Sequence, residues 1–112
     1  MAVKPCTMAI NNPGVCVVTW ADLDTGDTGQ PVLLGMYSDK TVQLIGSGTT
    51  TMQGSNDGTN WADLTDYSGA AALLDGTPAI MAIRENPLYI RPGTIGAASD
   101  NVVILVAKAM GK

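Results

Sequence analysis

The residues best suited to chemistry lie together in one loop-like segment, DLDTGDTG, which begins at Asp22. Asp24-Thr25-Gly26 is the tripeptide of aspartic proteases, in which two carboxylates share one proton. Such an enzyme needs the aspartate at the end of an apolar strand, where two subunits can bury the pair. Here Asp22 precedes the tripeptide and Asp27 follows it, so the charge favours a solvated turn. We expect no protease dyad in this segment.

The same segment resembles a calcium-binding loop at its first two acidic positions. An EF-hand loop needs a bidentate glutamate at its twelfth position, where this chain has Leu33, and flanking helices. The chain has no histidine, and two cysteines cannot complete a four-ligand zinc site. Gly46-Ser47-Gly48 is followed by neither a lysine nor a helix start, as a phosphate loop would be. We therefore predict no enzyme activity, no catalytic residue, no cofactor and no metal.

Composition narrows the classes of partner. The chain has 112 residues, enough for one domain, and 14% of them are charged against about 25% in an average soluble domain. A small domain so poor in charge has large uncharged surfaces, and such surfaces are often covered by other subunits. Only six residues are Lys or Arg and the net charge is −4, which argues against nucleic acid as a partner. No apolar run has the length of a membrane span, so we expect no membrane partner.

Cys6 and Cys16 are the two cysteines of the chain. No segment has the pattern of an export signal, so we expect the protein to be made and kept in the cytosol. Free thiols that behave as small hydrophobic side chains are then favoured over a disulfide, although a bridge between the two stays open.

The rest of the sequence has the patterns of short β-strands. The stretch 41–64 predicts a hairpin of two strands around a Gly-rich turn, because polar and apolar residues alternate with a period of two. Asn56-Asp57-Gly58 supplies residues that tolerate positive φ, and Trp61 returns the chain to the core. Residues 70–74, AAALL, favour one helical turn or a short strand equally.

Seven to nine such strands, spaced by turn signals, predict an all-β fold, a small antiparallel β-sandwich that is jelly-roll-like. Residues 1–14 are rich in turn formers and predict an N-terminal arm or irregular lead-in, with a single sandwich domain over 15–112. The last strand, from Val102 to Ala109, is apolar on both faces. It is either central in the sandwich or covered by a neighbouring subunit. Strand order, and hence jelly roll against immunoglobulin-like topology, stays open.

The order VQLIGSGTTTMQGSNDGTNWADL, then NPLYIRP, then a Val-rich final strand resembles the capsid decoration proteins of tailed bacteriophages, also called cement or staple proteins. The resemblance covers about residues 41–109, and QGSNDGTNW and ENPLYIRP are its most specific pieces. It implies a non-enzymatic β-sandwich that binds the outer surface of the capsid and joins neighbouring major capsid subunits. The expected location is then the virion surface, after synthesis in the host bacterial cytoplasm.

Two alternatives stand beside this hypothesis. S-N-D-G-x-N-W also occurs in discoidin-like carbohydrate or cell-surface binding modules, and another virion or tail component is possible in the phage class. Under the capsid hypothesis the partners are the major capsid protein and the chain itself, as a homodimer or a trimer. The expected contact residues lie in the N-terminal arm, in the final strand and at two arginines that could pair with carboxylates: Val3, Met8, Ile10, Val103, Leu105, Arg84 and Arg91.

Overall fold

A computed structural model describes residues 2–11, 14–75 and 79–109 of the chain. Within these ranges every regular element is a β-strand, so the all-β prediction is confirmed. The strands are β1 (Val3–Lys4), β2 (Cys6–Asn11), β3 (Val15–Leu23), β4 (Thr28–Gly29), β5 (Val32–Leu33), β6 (Asp39–Ile45), β7 (Thr49–Ser55), β8 (Ala62–Asp63), β9 (Leu73–Asp75), β10 (Ala79–Ile83), β11 (Tyr89–Pro92) and β12 (Asn101–Lys108).

The first sheet has five antiparallel strands in the order β10-β6-β12-β3-β2. Its central strand is β12, in which Leu105 lies opposite Val18 on one side and Val42 on the other. All three side chains are fully buried. The sequence of β12 is apolar at almost every position because the strand lies in the middle of the sheet, as one of the two predicted alternatives required.

The second sheet is smaller, with the order β5-β11-β7-β8 and β9 paired with β7. Its inward side chains, among them Met52, Leu74 and Ile90, pack against those of the first sheet to form one core. Trp20 is fully buried in this core, and its indole N–H donates to the backbone carbonyl of Gln30 at 2.9 Å. The interior between the sheets is therefore filled by side chains, as in a small sandwich.

Residues 41–64 do not form the predicted hairpin. Strand β6 belongs to the first sheet and β7 to the second, so the Gly-rich turn between them carries the chain from one sheet to the other. Both segments keep the predicted alternation, because each has one face in the core. The hairpin lies one connection later, where β7 pairs with β8 and SNDGTNW joins them. For residues 70–74 the sequence favoured one helical turn and a short strand equally. The structure forms a strand, β9, over residues 73–75.

The N-terminal segment is ordered by the body of the domain, so the expected irregular lead-in is wrong for residues 3–11. Strand β2 pairs with β3 over its whole length, and β1 pairs in parallel with β4. Asp27, expected in a solvated turn, is buried and accepts a hydrogen bond from the backbone N–H of Ala2 at 3.0 Å. Its carboxylate also pairs with the Lys4 ammonium at 3.5 Å. Asp27 thus fastens the N-terminus to the loop that was expected to be a solvated turn.

The two cysteines are free, as predicted. Cys6 lies opposite Trp20 on β3, while Cys16 lies opposite Ile10 on β2. The thiols are thus four residues apart along the ladder, roughly 13 Å, which is too far for a disulfide. Burial raises the pKa of both thiols. They act as small apolar side chains at this edge of the core.

Asn101 is a fully buried polar residue at the point where the chain changes sheets. Its side-chain oxygen accepts from the Gly48 N–H at 2.8 Å, and its amide donates to the carbonyls of Leu23 at 3.0 Å and Ala98 at 2.8 Å. A β-carbon at Gly48 would lie 2.6 Å from the Asn101 amide nitrogen, so only glycine fits there. One amide side chain therefore holds three segments together.

We expect Asn101→Ala to lower the free energy of unfolding by about 3 kcal/mol or more, because it removes the partner of a buried N–H, a buried carbonyl and a part-buried carbonyl. The measurement is urea denaturation followed by circular dichroism. Asn60→Ala is the matched control, since the exposed Asn60 side chain donates only to exposed Asp57, and its loss should stay below about 1 kcal/mol. Equal losses in the two variants would contradict the central role of Asn101.

Candidate functional site

The SNDGTNW corner between β7 and β8 is organised by Asp57. Its carboxylate accepts from the backbone N–H groups of Thr59 and Asn60, both at 2.8 Å, and from the Asn60 side chain at 2.6 Å. The Ser55 hydroxyl donates to the same carboxylate at 2.8 Å. Gly58 has φ of +79°, the left-handed conformation that glycine adopts without strain. The corner is thus closed by its own hydrogen bonds, as expected of a turn.

Trp61, expected to return the chain to the core, lies instead on the outer surface of the second sheet with its ring half-buried. The Arg91 guanidinium stacks over this ring at 4.1 Å from the centroid, and its Nε donates to the Gln53 side chain at 3.0 Å. Burial lowers the pKa of Arg91, although the group stays charged at neutral pH. One face of the tryptophan is therefore occupied by the protein itself and is not a free stacking platform.

A cleft of about 440 Å³ lies between this corner and the segment that joins β10 to β11. Ser55, Asn56, Asn60, Glu85 and Asn86 supply most of its polar lining. The two sequence pieces that seemed most specific, QGSNDGTNW and ENPLYIRP, therefore meet at one place. The Asn56 side chain joins them directly, since its oxygen accepts from the Leu88 N–H at 3.0 Å. This contact was invisible in the sequence, because the two pieces are separated by three strands.

The polar groups of the cleft are already used by the fold. The Glu85 carboxylate accepts from the backbone N–H of Thr65 at 2.7 Å and from its hydroxyl. The Asn86 oxygen accepts from the ammonium of Lys40, a lysine that is only 1% exposed. Burial lowers the pKa of this lysine. Because Glu85 and Asn86 are engaged in hydrogen bonds with Thr65 and Lys40, the cleft favours a structural role over the binding of a sugar or the polarisation of a substrate.

No group of three or more His, Cys, Asp or Glu side chains in the described ranges is arranged to hold a metal ion. In the same part of the chain there is no helix with the length and apolar character needed to cross a membrane.

The predicted contact residues fall into three groups. Val3, Met8 and Ile10 are exposed by 62%, 48% and 68%, so their side chains are accessible to a partner. Val103 and Leu105 are fully buried, and the expectation of surface contact at these two positions is wrong. Successive side chains of a strand point to opposite faces, so the outward residues of β12 are the neighbours of Val103 and Leu105 in the sequence.

The two arginines are not equivalent. Arg84 follows β10 and is exposed, so a carboxylate of a partner can reach it. Arg91 lies on β11 and is engaged with Trp61 and Gln53. Arg84 thus directly follows a strand of the first sheet while Arg91 lies on a strand of the second, and of the two only Arg84 is exposed.

Met8 and Ile10 expose an unusual surface, because they lie on the core side of the first sheet. Met8 is opposite Val18 and Ile10 is opposite Cys16, two fully buried residues of β3. Strand β2 ends the sheet order, and at this end the second sheet no longer covers the inward side chains. The result is an open strand edge with uncovered apolar side chains, which we call the β2 edge and define as Cys6–Asn11.

The outer faces of the two sheets differ in charge. The second sheet carries Asp63, Asp75 and Arg91 among the outward residues of its strands. The first sheet shows uncharged residues over the middle of its outer face, with Ile104 and Val106 at the centre. An antiparallel sheet that faces water usually has a polar outer face. The second sheet follows this rule, and the first does not.

Comparison with known proteins supports the fold. No family model and no curated protein matches the sequence. Among solved structures, the SPBc2 prophage-derived protein YomS is similar over 88% of this chain and 98% of its own, with 11% identity and a TM-score of 0.60.

Two further neighbours have a double-stranded β-helix or cupin domain. A conserved protein from Klebsiella pneumoniae with a double-stranded β-helix domain has 16% identity and a TM-score of 0.51, over 98% of this chain and 81% of its own. The cupin domain of Schizosaccharomyces pombe Cnp3 has 6% identity and a TM-score of 0.51, over 92% and 59%. These likenesses confirm the jelly-roll-like sandwich and decide against an immunoglobulin-like topology. At such identities they show the fold alone.

The SNDGTNW corner should make stability sensitive to acid. The hydrogen bonds from Asn60, Thr59 and Ser55 hold the pKa of the Asp57 carboxyl well below its usual range. Because the folded pKa is depressed, the stabilisation is fully present above the unfolded pKa of about 3.9 and is lost as pH falls from there. We expect the urea midpoint of the wild type to drop more steeply between pH 4 and pH 2 than that of Asp57→Asn. Parallel curves would contradict this assignment.

Proposed function

We propose that the chain is a non-catalytic structural protein of a tailed-phage virion. In this proposal it binds the outer surface of the shell and joins neighbouring major capsid subunits. The observation that carries the proposal is the β2 edge, which offers a partner both an unpaired strand and uncovered apolar side chains. The fold likeness to a prophage-derived protein supports the phage context. The sequence resemblance to decoration proteins supports the role.

Among the described residues, no strand pairs with the outer side of the β2 edge, and only the Cys6 N–H at its beginning is engaged, by the Gln30 side chain at 3.1 Å. Its six residues, CTMAIN, contain no charged residue and no proline. Natural edge strands are usually protected by lysine, proline, a bulge or a covering segment, since an open edge pairs with other chains. An edge that lacks this protection suits the addition of an extended segment from a partner, with main-chain hydrogen bonds for affinity and Met8 and Ile10 for specificity.

A non-catalytic role agrees with the hydrogen bonds that the carboxylates make within the protein. The carboxylates in the cleft and corner, Glu85 and Asp57, accept hydrogen bonds from neighbouring backbone and hydroxyl groups. Among the described residues, the interior of the sandwich is one packed cluster of apolar side chains. A role carried by contacts on the outer surfaces agrees with such an interior.

The test is a binding assay with purified shells that lack the protein, from the phage that encodes it. We expect Met8→Lys and Ile10→Lys each to weaken shell binding about 10-fold or more, since each places a charge in an apolar contact. Occupancy is measured by co-sedimentation at a series of protein concentrations. Point substitutions are preferred to removal of residues 1–12, because that truncation would uncover the β3 side of the core.

Leu73→Lys is the matched control, because Leu73 is exposed by 49% on the outer face of the second sheet. It introduces the same charge at a distant apolar position and should leave occupancy unchanged. Unaltered binding by both β2 variants, with wild-type circular dichroism spectra, would overturn the β2 edge as the shell contact. Failure of the wild-type protein to bind any such shell would overturn the proposed function itself.

A further inference from the structure

The outer face of the first sheet is uncharged across its central rows of side chains, which combine Ile and Val with Thr and Gln. One row crosses the sheet through Thr19, Ile104, Gln43 and Ile80, which lie opposite one another on β3, β12, β6 and β10. Every residue of this row is uncharged. Ile80 is exposed by 66%. Such a face lacks the charged residues that are common on a solvated antiparallel sheet, and it exposes apolar side chains between Thr and Gln.

The next row repeats the pattern through Val17, Val106 and Thr41. The charged residues stand at one end of the face, where Lys108 on β12 lies opposite Asp39 on β6. Both are exposed and point to the outer side. No ion pair joins them, although the structure describes both side chains. The centre of the face is therefore uncharged, and one end carries two opposite charges side by side.

The area of this face is sufficient for a weak, reversible contact. Five strands about 4.8 Å apart, rising about 3.4 Å per residue over seven residues, give a face of roughly 500 Å². Two such faces together bury roughly 1,000 Å², which reaches the lower bound for a specific interface. The packing of two sheets in this way is a standard arrangement, with strands rotated by about 30°.

We propose that this face packs against the same face of a second copy, related by a two-fold axis that runs along the strands between β6 and β12. The axis places Lys108 of each copy over Asp39 of the other, so the end of the face is complementary to itself. The uncharged rows through Ile104 and Val106 then meet across the interface. A two-fold contact closes with two copies, so the product is a dimer and not a fibre.

This inference does not depend on the proposed function, because it concerns the isolated protein. It also assigns the two surfaces to different partners. The β2 edge exposes Met8 and Ile10 on the core side of the sheet, while the dimer uses the opposite side of the same sheet. A variant of one surface should therefore leave the other contact intact.

The test is sedimentation equilibrium of the full chain without shells. We expect the wild type to have twice the chain mass of 11.5 kDa at 100 μM or below. Ile104→Lys should weaken the dimer at least 100-fold, because it places a charge in the centre of the uncharged face. Met8→Lys is the control and should remain a dimer. Circular dichroism and urea denaturation establish that each variant is folded.

The charge pair provides a second measurement that does not alter the uncharged centre. Lys108→Asp should weaken the dimer about 10-fold at low salt, because it sets like charges against each other on both sides of the axis. The double variant Asp39→Lys/Lys108→Asp should return the dimer to within about 3-fold of the wild type. A single variant without effect, or a double variant without recovery, would overturn the proposed axis.

A wild-type chain that is monomeric at 100 μM would overturn the dimer. If that monomer bound shells and Ile104→Lys abolished the binding, the face would belong to the shell contact instead. A dimer that persists in folded Ile104→Lys would overturn the assignment of the interface to this face.

Discussion

The architecture depends on the hydrogen bonds of one buried amide. Asn101 joins the end of β3, the loop before β12 and the start of β7, and it has no access to solvent. A buried polar side chain is tolerated only when its partners are correctly placed, since each missing partner costs about 1–3 kcal/mol. Competing arrangements of the two sheets would leave these groups unpaired. The amide therefore specifies where the chain passes from one sheet to the other.

Asn101 also sets the alternation of the central strand. It is the first residue of β12 and points inward, so Val103, Leu105 and Ala107 follow it into the core. Val102, Ile104 and Val106 must then point outward, although they are equally apolar. The strand sequence alone cannot distinguish these two sets, because a shift by one residue exchanges them. The hydrogen bonds of a single polar residue decide which side chains form the core and which form the outer surface.

This explains what the sequence could predict and what it could not. Local patterns were sufficient for the all-β class, for the turn at Asn56-Asp57-Gly58 and for two free thiols. The division of strands between sheets was not predictable, because β6 and β7 are adjacent in sequence but pair with distant strands. Pairing of this kind depends on contacts between residues far apart in the chain, for which no local signal exists.

The burial of Asp27 was missed for a related reason. A loop of turn formers with three aspartates reads as solvated, and its sequence contains no indication of a partner. Besides the Asp24 N–H within the loop, the partners are Ala2 and Lys4, about 25 residues earlier, which reach the loop only because β1 pairs with β4. For the same reason the first residues of the chain, which looked irregular, form strands. The sequence correctly indicated a turn around Asp27, but tertiary contacts bury this residue and order the first residues of the chain as strands.

The unequal size of the two sheets connects the two proposed surfaces. Because the second sheet is narrower, the inward side of β2 extends past the core and leaves Met8 and Ile10 uncovered. In the proposed dimer the outer faces of the first sheets meet, so the inward sides of both β2 strands point away from the interface. Each dimer then has two identical shell contacts on opposite sides. Two linked contacts of modest affinity bind much more tightly than one, and a protein that carries both can hold neighbouring subunits together.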